Sequence, residues 1–125
     1  MIVEGEEVAR FVSERLGFGL CPPYAALGVV RDGEIAGGVV FNHFEGADVH
    51  VSVAGCGWTR AFLRAVGTYV YDKLGCERMT AITADEVVAT FAERLGGQYE
   101  GRLRSHFGPG KDAFVMGILR DEWKY

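Results

Sequence analysis

Three polar side chains share one side of a single predicted strand. Asp48, His50 and Ser52 alternate with Val49, Val51 and Val53, so a period of two puts an acid, an imidazole and a hydroxyl on one face. Imidazole is the side chain whose ordinary pKa suits a proton acceptor near neutral pH, which makes His50 the best candidate base. His43 and Glu45, at the preceding turn, add a second imidazole and a carboxylate. The plain alternative is a polar face that is solvated, or hydrogen-bonded beneath a helix. An internal strand needs a cavity or partners for three such groups, and this keeps them as site candidates.

Cys56 follows that strand just before a predicted helix, where a thiolate would be stabilised. A nucleophilic cysteine also needs an adjacent base, so an inert thiol is the preferred reading. Further along, Glu100, Arg102, Arg104 and His106 alternate on a predicted strand, and Arg–Glu pairing along that face accounts for them. The functional alternative gives Arg104 and His106, beside a Gly108-Pro109-Gly110 loop, a role in holding a substrate. Cys21, Cys56 and Cys76 include no Cys-x-x-Cys pair, and the three His are scattered. No zinc or redox signature is present, and reduced, mostly buried thiols are expected.

The elements that must position these residues follow from the hydrophobic period. Val8, Phe11, Val12 and Leu16 mark one face of a helix over Glu7–Leu16 that Gly17 closes, and Pro22-Pro23 forces an extended connection after it. Ala25–Arg31, the Asp32-Gly33 turn, Glu34–Phe44, the Glu45-Gly46-Ala47 turn and Asp48–Ala54 read as a three-strand meander. Apolar residues from Trp58 to Leu74 recur at three and four, predicting a long helix ended by Gly75. Cys76–Thr83 is a strand, and Asp85–Leu95 a helix with a Thr83-x-x-Glu86 capping box. Tyr99–Phe107 and Asp112–Leu119 form a closing hairpin. Strand, helix, strand requires a right-handed crossover, so the third and fourth strands run parallel in an otherwise antiparallel sheet. The expected fold is a mixed α/β (α+β) three-layer domain with helices on both faces.

The chain has 125 residues, 49% hydrophobic and 24% charged, which suits one globular domain spanning 1–125. Its net charge of −4 lacks the electrostatic footprint of a phosphate-backbone binder and argues against nucleic acid as a partner. No apolar run reaches the length of a membrane span, and the N-terminal MIVEGEEVAR is acidic where a signal peptide would be basic. A soluble, cytoplasmic domain is expected.

Three stretches carry a resemblance to a known family. Leu74-Gly75-Cys76-Glu77-Arg78-Met79-Thr80-Ala81 looks like the helix end and fifth strand of the GCN5-related N-acetyltransferase (GNAT) superfamily. Glu93-Arg94-Leu95-Gly96-Gly97-Gln98-Tyr99-Glu100-Gly101-Arg102-Leu103-Arg104 is similar to the "erLGF-x-x-EG-x-x-R" run of its ribosomal-protein N-terminal acetyltransferase branch. Lys111 to Trp123 resembles that branch's closing strand and "R-x-E-W" tail. The chain also resembles short GNAT-like proteins of phages and prophages.

The resemblance implies an acetyltransferase that uses acetyl-CoA as co-substrate. In such proteins the third and fourth strands above splay apart, the pantetheine arm lies in the gap, and the pyrophosphate rests on N–H groups at the next helix start. Mapped onto this chain, the cofactor-binding positions are Val53, Ala54, Gly55, Gly57, Thr59 and Arg60, with His50, Ser52 and Glu45 as catalytic candidates and Arg104 and His106 toward the substrate. The family's Gln/Arg-x-x-Gly-x-Gly/Ala loop is matched by Gly55-Cys56-Gly57-Trp58-Thr59-Arg60. Thr59 and Arg60 can bind phosphate there, or Trp58 can fill the cofactor's space. The tyrosine that many relatives use as acid is matched by Ala92, and the family's asparagine at that helix start by Asp85.

The implied acceptor is an amine, on a small molecule or on a protein N-terminus or lysine. One rival is a non-catalytic GNAT-fold binding module with a degenerate coenzyme-A loop. Another is a nucleobase modifier using Arg60/Arg64 and Arg102/Arg104. A homodimer through the edge of the final hairpin is the oligomer expected.

Overall fold

The computed structural model describes residues 1–125. Helix α1 spans Glu6–Leu16 and buries Val8, Ala9 and Val12, and Gly17 ends it in the left-handed conformation. It follows a short strand, β1 (Ile2–Glu4), which pairs with the chain at Leu27–Val29. Three residues are too few to show a period, so β1 was invisible in the sequence. The meander forms as expected from β2 (Tyr24–Arg31), β3 (Glu34–Glu45) and β4 (Asp48–Gly55). Helix α1 lies close on it because Gly28 and Gly38 present no side chain: a Cβ on either would fall within 2.8 Å of a Val8 methyl.

The next helix differs from its sequence reading. Helix α2 (Arg60–Gly67) passes into a π-helical stretch at Thr68–Lys73 rather than running on as α. The wider turn accompanies the burial of both Val70 and Tyr71, whose hydroxyl donates to the Ile118 carbonyl at 2.7 Å. Gly67 is where Trp123 packs, since a Cβ there would sit 2.3 Å from the indole Nε1. Strand β5 (Arg78–Thr83) begins two residues later than expected. Helix α3 (Glu86–Arg94) is capped by Asp85, whose carboxylate accepts the Val87 N–H at 2.8 Å. Thr83 instead accepts the Asp85 N–H at 3.0 Å, so the capping-box reading fails by two residues.

Strands β6 (Gln98–Leu103) and β7 (Ala113–Leu119) close the chain. The seven strands lie in the order β1-β2-β3-β4-β5-β7-β6, with β4 and β5 parallel and the other pairs antiparallel. This is the mixed, mostly antiparallel α/β fold the element order implies. The strand expected to reach Phe107 stops at Leu103, and Ser105 turns the chain at φ 54°. A register shift at Glu100 also breaks the alternation. Glu100 therefore pairs with Arg78, and Arg102 with Asp112. Two of the three thiols expected to be buried, Cys21 and Cys56, are exposed.

The larger core lies between the sheet and α2/α3, around Phe41, Phe62, Val70 and Met116; the smaller lies under α1, around Val8, Val12 and Val40. No helix is long and apolar enough to cross a membrane. Phe41 is fully buried on the interior strand β3, its ring 4.7 Å from that of Tyr69. Phe41→Ala is expected to cost about 3–5 kcal/mol of unfolding free energy, read by urea denaturation.

Candidate functional site

The parallel pairing of β4 and β5 is short. It runs from Asp48–Arg78 to Val51–Ala81 and stops, although β4 continues to Gly55 and β5 to Thr83. What bends β4 away is its far end. The Cys56 N–H donates to the Ala36 carbonyl at 3.0 Å, and Gly55 and Gly57 adopt φ 89° and 94°. A Cβ on Gly55 would meet the Ala36 oxygen at 2.2 Å, so only glycine allows this approach. The chain is pulled onto β3 and leaves β5.

A continuous groove opens where the two strands part. Its middle is lined by Val51, Ser52, Ile82 and Thr83 from the strands, Leu16 and Phe18 from the end of α1, and Phe107 and Lys111 from the β6–β7 turn. One arm passes Ala54, Gly55 and Trp58 toward α3, with Arg15 and Arg94 on its walls. The other arm reaches a pocket holding His43, His50, His106, Asn42 and Cys21. Beneath the groove, Val53, Trp58, Phe62 and Phe91 line a wholly apolar cavity. Trp58 packs there on Phe62 and Phe91, at ring separations of 5.4 and 6.1 Å.

His50 is the centre of a directed set of contacts. Its Nε2 lies 3.7 Å from Asp48 Oδ2, and its ring meets His43 edge-on at 5.0 Å. The other Asp48 oxygen accepts the Thr80 hydroxyl at 2.8 Å and faces Arg78 Nε at 3.6 Å. Arg78 Nε also donates to Thr80, and its guanidinium is forked onto Glu100. Burial pushes the His50 imidazole below its ordinary 6.5; the Asp48 charge opposes this, while His43 and Arg78 add to it and Glu45 opposes it. A half-buried neutral imidazole facing a groove is equipped to accept a proton.

The remaining candidates divide. Ser52 lies at the junction of the middle groove and the histidine pocket. Val53, Ala54 and Gly55 line the arm toward α3. Gly57, Thr59 and Arg60 do not. The Thr59 hydroxyl accepts the Phe62 N–H at 3.1 Å as the cap of α2, and the Arg60 guanidinium lies 5.9 Å from the Tyr125 ring. Glu45 is exposed and acts on His50 only through its charge. His106 joins the pocket; Arg104 is exposed and lines no part of the groove. Sequence reasoning missed Arg15, Arg94, Phe18 and Lys111, which come from loops or from helix positions that read as solvated. It also took the histidines as scattered, because three separate elements bring them together. No three His, Cys, Asp or Glu side chains form a metal-binding group.

No family model matches the sequence, and no curated protein does either. Solved structures do match. Mutant forms of the spermidine/spermine N-acetyltransferase SpeG from Vibrio cholerae superpose with a TM-score of 0.76 at 15% identity, over 97% of this chain and 95% of that one. A dodecameric structure of the Vibrio cholerae spermidine N-acetyltransferase gives 0.74 at 14% identity, over 97% and 94%. A putative acetyltransferase gives 0.68 at 21% identity, over 91% of this chain and 64% of that one. The chain thus has the fold of GNAT acetyltransferases.

The Asp48 charge favours imidazolium, so Asp48→Asn should lower the His50 pKa further. A proton NMR titration of the imidazole C–H signals reads this directly, and an unchanged or raised value would contradict the assigned geometry.

Proposed function

We propose that the protein is a GNAT-type N-acetyltransferase that moves an acetyl group from acetyl-CoA to an amine. The observation that carries this reading is the parting of β4 and β5, with a neutral imidazole and a hydroxyl at one end of the gap and two guanidinium groups at the other. Unpaired strand edges offer backbone donors and acceptors to an extended amide chain, which fits a pantetheine arm. Arg15 and Arg94 supply charge for a pyrophosphate. The start of α2 lies off this arm, where the Thr59 hydroxyl accepts the Phe62 N–H, so the two guanidinium groups carry the phosphate contact in this reading.

Acetyl-CoA brings a thioester acetyl group, and the chain's side chains manage the protons. His50 takes one proton from the acceptor ammonium, freeing the nitrogen lone pair for the new C–N bond. As the C–S bond breaks, the adduct nitrogen loses its second proton, which can pass through the Ser52 hydroxyl or solvent to the departing thiolate. Ser52, between the amine pocket and the slot, donates a hydrogen bond to the reacting carbonyl oxygen or delivers a proton to the departing sulfur. No tyrosine lines this groove, and Ala92, at the position of the family's acid, is buried. The thiolate proton therefore comes through Ser52 or from solvent.

A second reading is favoured by Trp58. Its indole walls the slot in place of the glycine of the family loop, as a non-catalytic binding module with a decayed coenzyme-A loop would have it. Groove charges alternate in sign, Arg15, Arg94 and Lys111 against Asp85 and Glu86, so there is no continuous positive track for a nucleic acid.

Calorimetry with acetyl-CoA decides between the two. Micromolar binding, worth about −8 kcal/mol, supports the transferase, and no binding at millimolar coenzyme overturns it. Arg94→Glu should weaken that binding at least tenfold, and more than Arg60→Glu does. In turnover, kcat/KM should rise with pH to a plateau with a midpoint below 6.5, because the base must be unprotonated and burial has lowered its pKa. His50→Asn should lower kcat by about 10²–10⁴ and abolish that limb.

A further inference from the structure

The histidine arm of the groove has an unusual chemical character. None of its lining residues is Asp, Glu, Lys or Arg. Its polar groups are three imidazoles, Asn42, Ser52 and Cys21, and its walls include Phe18 and Phe107, stacked at 5.7 Å with their planes 30° apart. Phe18 comes from the loop after α1 and Phe107 from the β6–β7 turn, so two distant segments build one aromatic wall, whose outer ring face is open to a further ring. Phe18 is 42% exposed on that wall, a cost that the α1 loop bears at the mouth of a pocket. The Asn42 amide donates to the Cys21 carbonyl at 3.2 Å and ties the Phe18–Cys21 loop to β3, which holds this wall in place.

We propose that this pocket takes a mono-amine with an aromatic body, and not a polyamine. An aryl group stacks on the Phe18–Phe107 wall while its amino group reaches His50. A second ammonium would find no anionic side chain on the pocket's lining. Two carboxylates act on His50 from outside the lining: Asp48, one oxygen of which is held by Thr80 and Arg78 while the other faces the His50 imidazole itself, and Glu45, which is exposed. Where the pocket opens into the middle groove, the charged groups are Lys111, which repels a cation, and Asp85, whose carboxylate caps α3. The inference rests on the transferase reading only in calling the amine an acceptor; the pocket's preference is a matter of binding.

The test uses the three histidines as reporters, since the chain's only imidazoles all line this pocket. Titration of the full chain with 2-phenylethylamine, followed by the imidazole C–H resonances, should perturb His43, His50 and His106 with at least tenfold higher affinity than spermidine. Phe18→Ala should lose at least tenfold of that affinity and Phe18→Trp should keep it. Equal or tighter binding of spermidine, or no perturbation by either amine at millimolar concentration, would overturn the inference. Coenzyme-A release in the presence of acetyl-CoA separates the two claims. Aryl-amine binding without acetyl-CoA binding supports the pocket and removes the transferase, whereas release with spermidine in preference to 2-phenylethylamine keeps the transferase and overturns the pocket.

Discussion

The structure depends on the early end of one pairing. Strands β4 and β5 share only the registers Asp48–Arg78 to Val51–Ala81, after which each has a backbone edge without its neighbour. Buried strand edges are costly unless another group satisfies them, so the gap is stable only where it is lined and partly wetted. The fold meets this by surrounding it: α1 supplies Leu16, α3 supplies Val88, and Trp58, Phe62 and Phe91 line the apolar cavity beneath. The divergence is built in by backbone conformation. Gly55 and Gly57 hold positive φ, and Cys56 is hydrogen-bonded to Ala36, so β4 leaves β5 because its end belongs to β3.

The paired half of the same strands builds the polar centre. Asp48 lies across from Arg78 and His50 across from Thr80, and the parallel register brings acid, imidazole, hydroxyl and guanidinium within reach. Glu100 completes the chain of contacts from β6, crossing β7 where Gly117 has no side chain; a Cβ there would lie 2.5 Å from Glu100 Oε1. One glycine thus lets a carboxylate on the edge strand orient an arginine on β5. The guanidinium and the Thr80 hydroxyl in turn hold Asp48, leaving its second oxygen toward His50.

Legibility in the sequence followed the range of the interaction. Helix α1, the meander and the parallel crossover rest on local period, turn chemistry and handedness, and all appear. So does the face carrying Asp48, His50 and Ser52, because alternation is a property of the strand alone. The failures share a cause. The π-helical stretch answers to Tyr71 reaching Ile118, and the Glu100–Arg78 pair answers to a bulge. The early end of β6 comes with the turn at Ser105, where the Asp112 carboxylate accepts the Ser105 N–H at 2.8 Å. The first two are set by residues distant in sequence, and the third by a contact across seven residues that no helix or strand period encodes.

By itself the sequence determined the order of elements from α1 onward, the fold class they build and the strand that carries the polar face, because steric and hydrophobic periods act over a few residues. Only the tertiary structure decided which residues surround that strand. It gathered His43, His50 and His106 from β3, β4 and the β6–β7 turn into one pocket, set Arg15 and Arg94 on the opposite arm, and turned Arg60 toward Tyr125. Convergence of this kind is fixed by where packing and register bring separate segments. The chemistry of the site therefore belongs to the fold, while its components were already written along the chain.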